Sequence, residues 1–434
     1  VKTPHLVLAL LLWFAAPLAG AEPPPIPDTP AGQQLRWALG VFGGDDPGPM
    51  PDRFAPSFLE KVPGPAFAGA LIQIRSLGPL RLVEVAPTDE HHLVATVYAE
   101  TASSYQKISV SVEPDTGLIE GLLIQPAPLY GKPPPASWDE IDAELDALHG
   151  HTSLGVYELI DGKPEAIHEH NADTPLAIGS TFKLWVLGAL GEYIDSTDAS
   201  WDDPLAIRKD LKSTPSGTMQ NEPPGTEFPI SHFADRMISI SDNTAADHLL
   251  HFVGRERVEA YMARFVRDPD RNRPFLTTRE MIGLKTGGNA ELLAEFAAAD
   301  PERRRELLAD IPKPSLLIAS AWAYPVEVER IEWFATPREL ADTFADLHRL
   351  EPDNPELAHA LRINPGMPFD HDLWPEIAYK GGSEPGVLNM TWLVRRNDDR
   401  WFVLALGWVD PDEPVDLNEP ILVATRAFQF LADQ

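Results

Sequence analysis

Between residues 80 and 125 apolar and polar positions alternate in four short runs. They are Leu80–Val85, His92–Glu100, Tyr105–Glu113 and Leu118–Gln125, the last following the turn Asp115-Thr116-Gly117. Alternation puts every second side chain on one face, which predicts half-buried strands. Upstream, Gln33–Phe42 and Arg53–Val62 carry apolar residues at helical spacing. Helices followed by an antiparallel sheet predict a small α+β domain over residues 31–125, a cone-like curved sheet laid over helices. Proline-rich stretches flank it. Residues 22–30 and 126–137, the second with Pro133-Pro134-Pro135, read as extended linkers.

The pattern changes after residue 138. A helix is expected over Trp138–Leu148, a strand over Leu154–Leu159 and a buried helix over the apolar run Leu184–Tyr193. Thr244–Val253 reads as another helix, and Ile377–Lys380, a glycine turn and Val387–Val394 as strand, turn, strand. Trp401–Val409 and Ile421–Leu431 supply a late strand and a closing helix. Strands at both ends of residues 138–434 predict one mostly antiparallel sheet flanked by helices, again α+β. Glu291–Ile311 is an additional charged, helical stretch.

At 434 residues, two domains are expected. The formal charge of −31 argues against nucleic acid and anionic membrane surfaces as partners. With no cysteine, disulfides, thiolate metal sites and a lipid-modified N-terminal cysteine are excluded. Lys2, the apolar run Leu6–Ala16 and the small residues Ala19-Gly20-Ala21 read as a secretory signal peptide over 1–21. That run is too short to span a bilayer, and no later segment is apolar enough, so stable membrane insertion is not expected. The expected location is the periplasm or the exterior.

Three short motifs carry the candidate chemistry: Ser180-Thr-Phe-Lys183, Ser241-Asp242-Asn243 and Lys380-Gly381-Gly382. A serine hydroxyl is a weak nucleophile and needs a base within reach and donors for the oxyanion. Residues three apart on a helix share a face, so Lys183 can serve Ser180. A second match, Ser104 and Lys107, lies on a predicted strand, where residues three apart point to opposite faces. Lys285-Thr286-Gly287 competes with the third motif. Thr277-Thr278-Arg279-Glu280 reads as a capping box, however, which makes Lys285 an ordinary cation at the end of a helix. Lys380, on a strand, is the expected active-site lysine.

The order of these motifs, with Ser241 61 residues after Ser180 and the lysine-glycine pair late, resembles the class A β-lactamase and penicillin-binding protein superfamily. The run Ser241-Asp-Asn-Thr-Ala-Ala-Asp-His-Leu-Leu extends the resemblance, which covers residues 138–434. With a small domain in front, the chain is similar to the two-domain serine hydrolase of clavulanic acid biosynthesis. The first domain resembles the NTF2- or steroid-isomerase-like class, and fold analogy alone licenses no isomerase activity. The resemblance implies roles. Ser180 would be the nucleophile, Lys183 its base, with Lys380 helping to lower its pKa. Ser241 would relay a proton to the leaving nitrogen, supported by Lys380. Asn243 would hold Lys183 and touch the substrate amide. The N–H groups of Ser180 and Ser383, beside Gly382, would form the oxyanion hole.

Two departures stand out. Gly381 replaces the usual threonine, whose hydroxyl would grip a substrate carboxylate, and Ser383 is the expected substitute. No Glu-x-x-x-Asn pattern supplies a deacylating base; Glu327, Glu329 and Glu332 precede Thr336-Pro337 but read as solvated or capping carboxylates. His168-Glu169-His170 could place two imidazoles on one face, yet no third ligand pattern follows, so neither metal nor cofactor is expected. The reading is a monomeric, exported serine acyl hydrolase of small molecules: β-lactams, esters or peptidoglycan-like amides, deacylating slowly. A penicillin-binding sensor, a DD-peptidase, an esterase and a degenerate binding protein are the alternatives.

Overall fold

A computed structural model describes residues 23–127, 130–313, 323–416 and 418–434; the signal-peptide expectation at 1–21 lies outside them. The chain forms two compact units that divide between Pro133 and Pro134.

The first unit places helices Pro30–Gly43, Pro56–Lys61 and Gly64–Ser76 before four strands, Leu80–Pro87, His92–Ala99, Ser104–Val112 and Ile119–Pro126. The strands pair antiparallel in sequence order. Leu35, Ala38, Phe54, Val97 and Ile108 form its core. Thr29 caps the first helix, accepting from the Gly32 N–H. Two expectations need correction. Arg53–Val62 is not one helix, because Ala55 precedes a proline and is extended, so the helix begins only at Pro56. The helix Gly64–Ser76 was not expected. It carries apolar residues on both faces, Phe67 and Leu71 inward and Ile72 73% exposed, and that blurs its period.

The second unit is built on a five-stranded antiparallel sheet in the order Glu376–Glu384, Val387–Arg395, Trp401–Val409, His151–Ile160, Lys163–His170. Strands from both ends of the unit thus lie side by side. One face packs on the helices Trp138–Asp146 and Asn418–Ala432 through Ile141, Trp392, Phe402, Phe428 and Leu431. Another core holds the helix Lys183–Ser196, in which Lys183 through Gly191 are all buried. Trp185 lies at its centre, 0% exposed, and donates to Thr343 at 3.0 Å. A helix with a buried first turn is fixed by its surroundings, which is what a positioned catalytic side chain requires. The additional charged stretch is two helices, Ala290–Ala298 and Pro301–Leu307, because Asp300 caps a new start at Pro301.

Candidate active site

Ser180 lies on a tight turn, Gly179–Phe182, that leads directly into the helix beginning at Lys183. Both motif residues therefore sit at a helix N-terminus, where partial positive charge favours a developing oxyanion. Gly382 is required for the turn to meet the strand Glu376–Glu384. A Cβ there would lie 2.4 Å from the Ser180 nitrogen and 2.1 Å from the Ile178 oxygen. A Cβ on Gly179 would lie 3.0 Å from the Ser383 nitrogen. The backbones of 179–180 and 382–383 are in contact, which brings the two expected oxyanion donors together.

Ser241-Asp242-Asn243 arrives on the other side. Asp242, not Ser241 or Asn243, caps the helix Asn243–Val253, accepting from Ala245 N–H at 2.9 Å. Its other oxygen accepts from the N–H groups of Thr218 and Met219 at 2.6 and 2.8 Å. Capping by the middle residue frees its two neighbours to face the lysines. Ser241 is left-handed, φ 56°, a conformation that costs a non-glycine residue about 1 kcal/mol or more. Its carbonyl accepts from Lys183 Nζ at 2.6 Å and from Ser216 Oγ at 2.7 Å, which holds the strained turn.

Lys183 is wholly buried and donates three hydrogen bonds: to the Ser241 carbonyl, to Ser241 Oγ at 3.1 Å and to Asn243 Oδ1 at 2.7 Å. Asn243 donates in turn to the Thr214 carbonyl at 3.0 Å. Burial pulls the Lys183 pKa down to about 7, against the charges of Asp242 and Asp247, which raise it. Lys380 is also buried; its Nζ donates to Ser241 Oγ at 3.1 Å and to the Gly381 carbonyl. Burial, and then the charge of Lys183, push Lys380 well below the usual lysine range. Burial is the largest cause of the lowering of both lysines, and the repulsion between the two ammonium groups is mutual. When both amino groups donate to Ser241 Oγ its two lone pairs are engaged, which leaves its own proton free for another acceptor. The Ser180 side chain has no hydrogen-bond partner among the described residues. As an ammonium, Lys183 has no lone pair for it; as a neutral amine, it gains one.

Ser180, Ser241, Asn243, Lys380, Gly382 and Ser383 all line one cleft of about 540 Å³. The structure places the rival motif differently from expectation. Lys285 does lie in the last turn of Thr278–Thr286, behind the capping box of Thr277 and Glu280, but its side chain is 0% exposed. It pairs with Glu332 at 3.2 Å and with Glu384. An ordinary helix-end cation would be solvated. This one is buried because two carboxylates on the cleft wall surround it. Burial, followed by the charge of Glu332, raises Glu384 well above the usual carboxylate range despite Lys285. Burial alone would lower Lys285, and Glu384 and Glu332 more than reverse this. Glu332 is thus neither solvated nor a cap. Glu327 instead pairs with Arg330 at 2.7 Å, and Glu329 lies 3.8 Å from His151, both outside the cleft lining. Glu384 escaped the sequence reading, although its place directly after Ser383 was a usable signal.

His168 and His170 do share a side of the edge strand. They are engaged by Asp142 and Asp146 of the helix Trp138–Asp146, at 2.8 Å each for His168–Asp142 and His170–Asp146. Ser104 and Lys107 lie in the strand Ser104–Val112 of the first unit, outside the cleft lining.

The sequence model described as "Beta-lactamase enzyme family" matches residues 136–406, and the one described as "ORF 12 gene product N-terminal" matches residues 26–119. The chain belongs to the β-lactamase enzyme family, in a two-domain form. Solved structures similar to it include a β-lactamase from Sphaerobacter thermophilus, at 19% identity and TM-score 0.49 over 68% of this chain and 96% of that one. PBP-A, solved as an acyl-enzyme complex with penicillin G, gives 17%, 0.47, 68% and 96%. A Francisella tularensis β-lactamase gives 16%, 0.45, 68% and 97%. No curated protein matches.

Proposed function

We propose that this chain is an exported serine acyl hydrolase that works through a covalent acyl-enzyme on Ser180, with β-lactams or related amides and esters as substrates. The observation that carries this reading is Lys183: a buried lysine, held by Ser241 and Asn243, whose pKa of about 7 lets it be neutral near physiological pH. The neutral amine accepts the Ser180 proton as Oγ bonds to the substrate carbonyl carbon. The Ser180 and Ser383 N–H groups receive the oxyanion. The carbon–nitrogen or carbon–oxygen bond then breaks. The leaving atom takes the proton of Ser241 Oγ, which is replaced from Lys183.

Deacylation needs water and a base. Glu332 and Glu384 are the carboxylates among the described cleft-lining residues, and both are committed to Lys285. Glu332 also accepts from the Trp333 N–H at 3.1 Å. That engagement supports slow deacylation and an accumulating acyl-enzyme. Export is supported by the apolar run Leu6–Ala16 before Ala19-Gly20-Ala21. Stopped-flow hydrolysis of a chromogenic cephalosporin tests the function: a burst near one equivalent of enzyme, then slow turnover, is expected. Turnover at about 10 per second or more without a burst would overturn slow deacylation, and no turnover with no adduct would overturn the function itself.

A further inference from the structure

Gly381 stands where the resembling motif has threonine, and the structure shows what took the space. A Cβ on Gly381 would lie 2.1 Å from the hydroxyl of Tyr379 and 2.8 Å from its ring carbon Cζ. The phenol and any side chain at 381 exclude one another. Residues 379, 381 and 383 share one face of the strand, paired across to Trp392, Met390 and Leu388. The Tyr379 ring is held in place. It lies 5.0 Å from the Trp392 ring, and a Cβ on Gly366 would come within 2.6 Å of it. Its hydroxyl has no hydrogen-bond partner among the described residues, and Tyr379 is part of the cleft lining. Ser383, the expected substitute for the missing threonine, is exposed and lies farther along the strand.

The cross-strand neighbours on that face are apolar: Trp392, Met390 and Leu388 lie opposite residues 379, 381 and 383. Leu388, Met390 and Ile421 line the same cleft. Among its described lining residues Lys380 is the one cationic side chain, and its Nζ is directed to Ser241 and Gly381. The acidic side chains of that lining, Glu332 and Glu384, supply no cation. A substrate carboxylate entering here would lose its hydration against these apolar side chains, and the one cation of the described lining, Lys380, already donates to Ser241 and Gly381. A carbonyl would lose little and gain one donor.

We propose that Tyr379 is a specificity-determining residue: its hydroxyl replaces the missing side chain at Gly381 as hydrogen-bond donor in an apolar subsite that accepts an uncharged ester or amide carbonyl in preference to a carboxylate. Burial raises the Tyr379 pKa, so the phenol stays protonated and keeps its donor across the working pH range. The proposal rests on acylation of Ser180.

The test uses a matched pair of probes, a penicillin and its methyl ester, with acylation of the full chain followed by intact mass. The wild type should react with the ester at least as fast as with the free acid. Tyr379→Phe should slow the ester by about 3- to 10-fold, the worth of one neutral hydrogen bond, and leave the free acid within about 2-fold. The double variant Tyr379→Ala with Gly381→Thr should move the preference towards the acid. A wild type that favours the acid tenfold, or a Tyr379→Phe loss equal for both probes, overturns the specificity proposal alone. Labelling by neither probe overturns serine acylation and this proposal with it.

Discussion

Lys285→Ala should destabilise the second unit severely, although the residue sits in the last turn of a helix. In the wild type Lys285 is fully enclosed and lies between Glu332, 1% exposed in its side chain, and Glu384, 9% exposed. Removing the cation leaves two carboxylates that cannot both remain ionised in that space. Burial and Glu332 already push Glu384 above its reference value of 4.5, and loss of Lys285 pushes the pair further the same way, so the folded variant binds more protons than the wild type. Protonating a glutamate with that reference value at pH 7 costs about 3.4 kcal/mol, within the range of about 3–5 kcal/mol for breaking a buried pair. The sign with pH follows. Raised carboxyl groups in the folded variant favour folding at low pH, and that advantage is lost as pH rises above the unfolded value. The deficit relative to wild type should therefore be about 3 kcal/mol at pH 7 and fall below about 1 kcal/mol at pH 5. Denaturant unfolding followed by tryptophan fluorescence at the two pH values measures it. The variant Lys285→Met with Glu332→Gln should recover most of the loss. A change below about 1 kcal/mol at pH 7, as for an exposed helix-end cation, would refute the reasoning.

Acylation by a β-lactam should rise with pH through about 7 as Lys183 loses its proton, and Lys183→Met should abolish it; a rate independent of pH between 5.5 and 8.5 would count against Lys183 as the base. The same residue has a stability signature: its folded pKa lies below the reference 10.5, so between about 7 and 10.5 the unfolded chain binds the extra proton and stability rises with pH. Lys183→Met should remove that slope in thermal unfolding. Lys380→Ala should cut acylation by on the order of 100-fold or more while the protein remains folded; an unchanged rate would remove Lys380 from the site. Export should leave a mature chain beginning at Glu22, which N-terminal sequencing of the secreted protein reads directly.

What the sequence disclosed followed from local physics. Alternation marked the four strands of the first unit, and the capping box at Thr277 and Glu280 was legible because both of its bonds are local. The pairing expected for Ser180 and Lys183 has the same local origin, because the two lie three residues apart; the structure adds that Ser180 lines one cleft with Ser241 and Lys380. What stayed hidden depended on partners distant in the chain. Lys285 looked solvated because Glu332 and Glu384 lie 47 and 99 residues away. Asp242 could not be told from its neighbours as the cap until its second oxygen met Thr218 and Met219. Tyr379 appeared only as one more strand residue. Its meaning came from the empty side of Gly381, two positions along the same face.

The central claim is that Ser180 becomes covalently acylated, driven by a lysine on its own helical turn. Intact-protein mass spectrometry after exposure to a penicillin, on wild type and on Ser180→Ala, tests it most directly. One added penicillin mass per chain is expected in the wild type, localised by digestion to the peptide containing Ser180, and none in the variant. Ser104→Ala should label like wild type. An undiminished adduct on a folded Ser180→Ala protein would contradict the account.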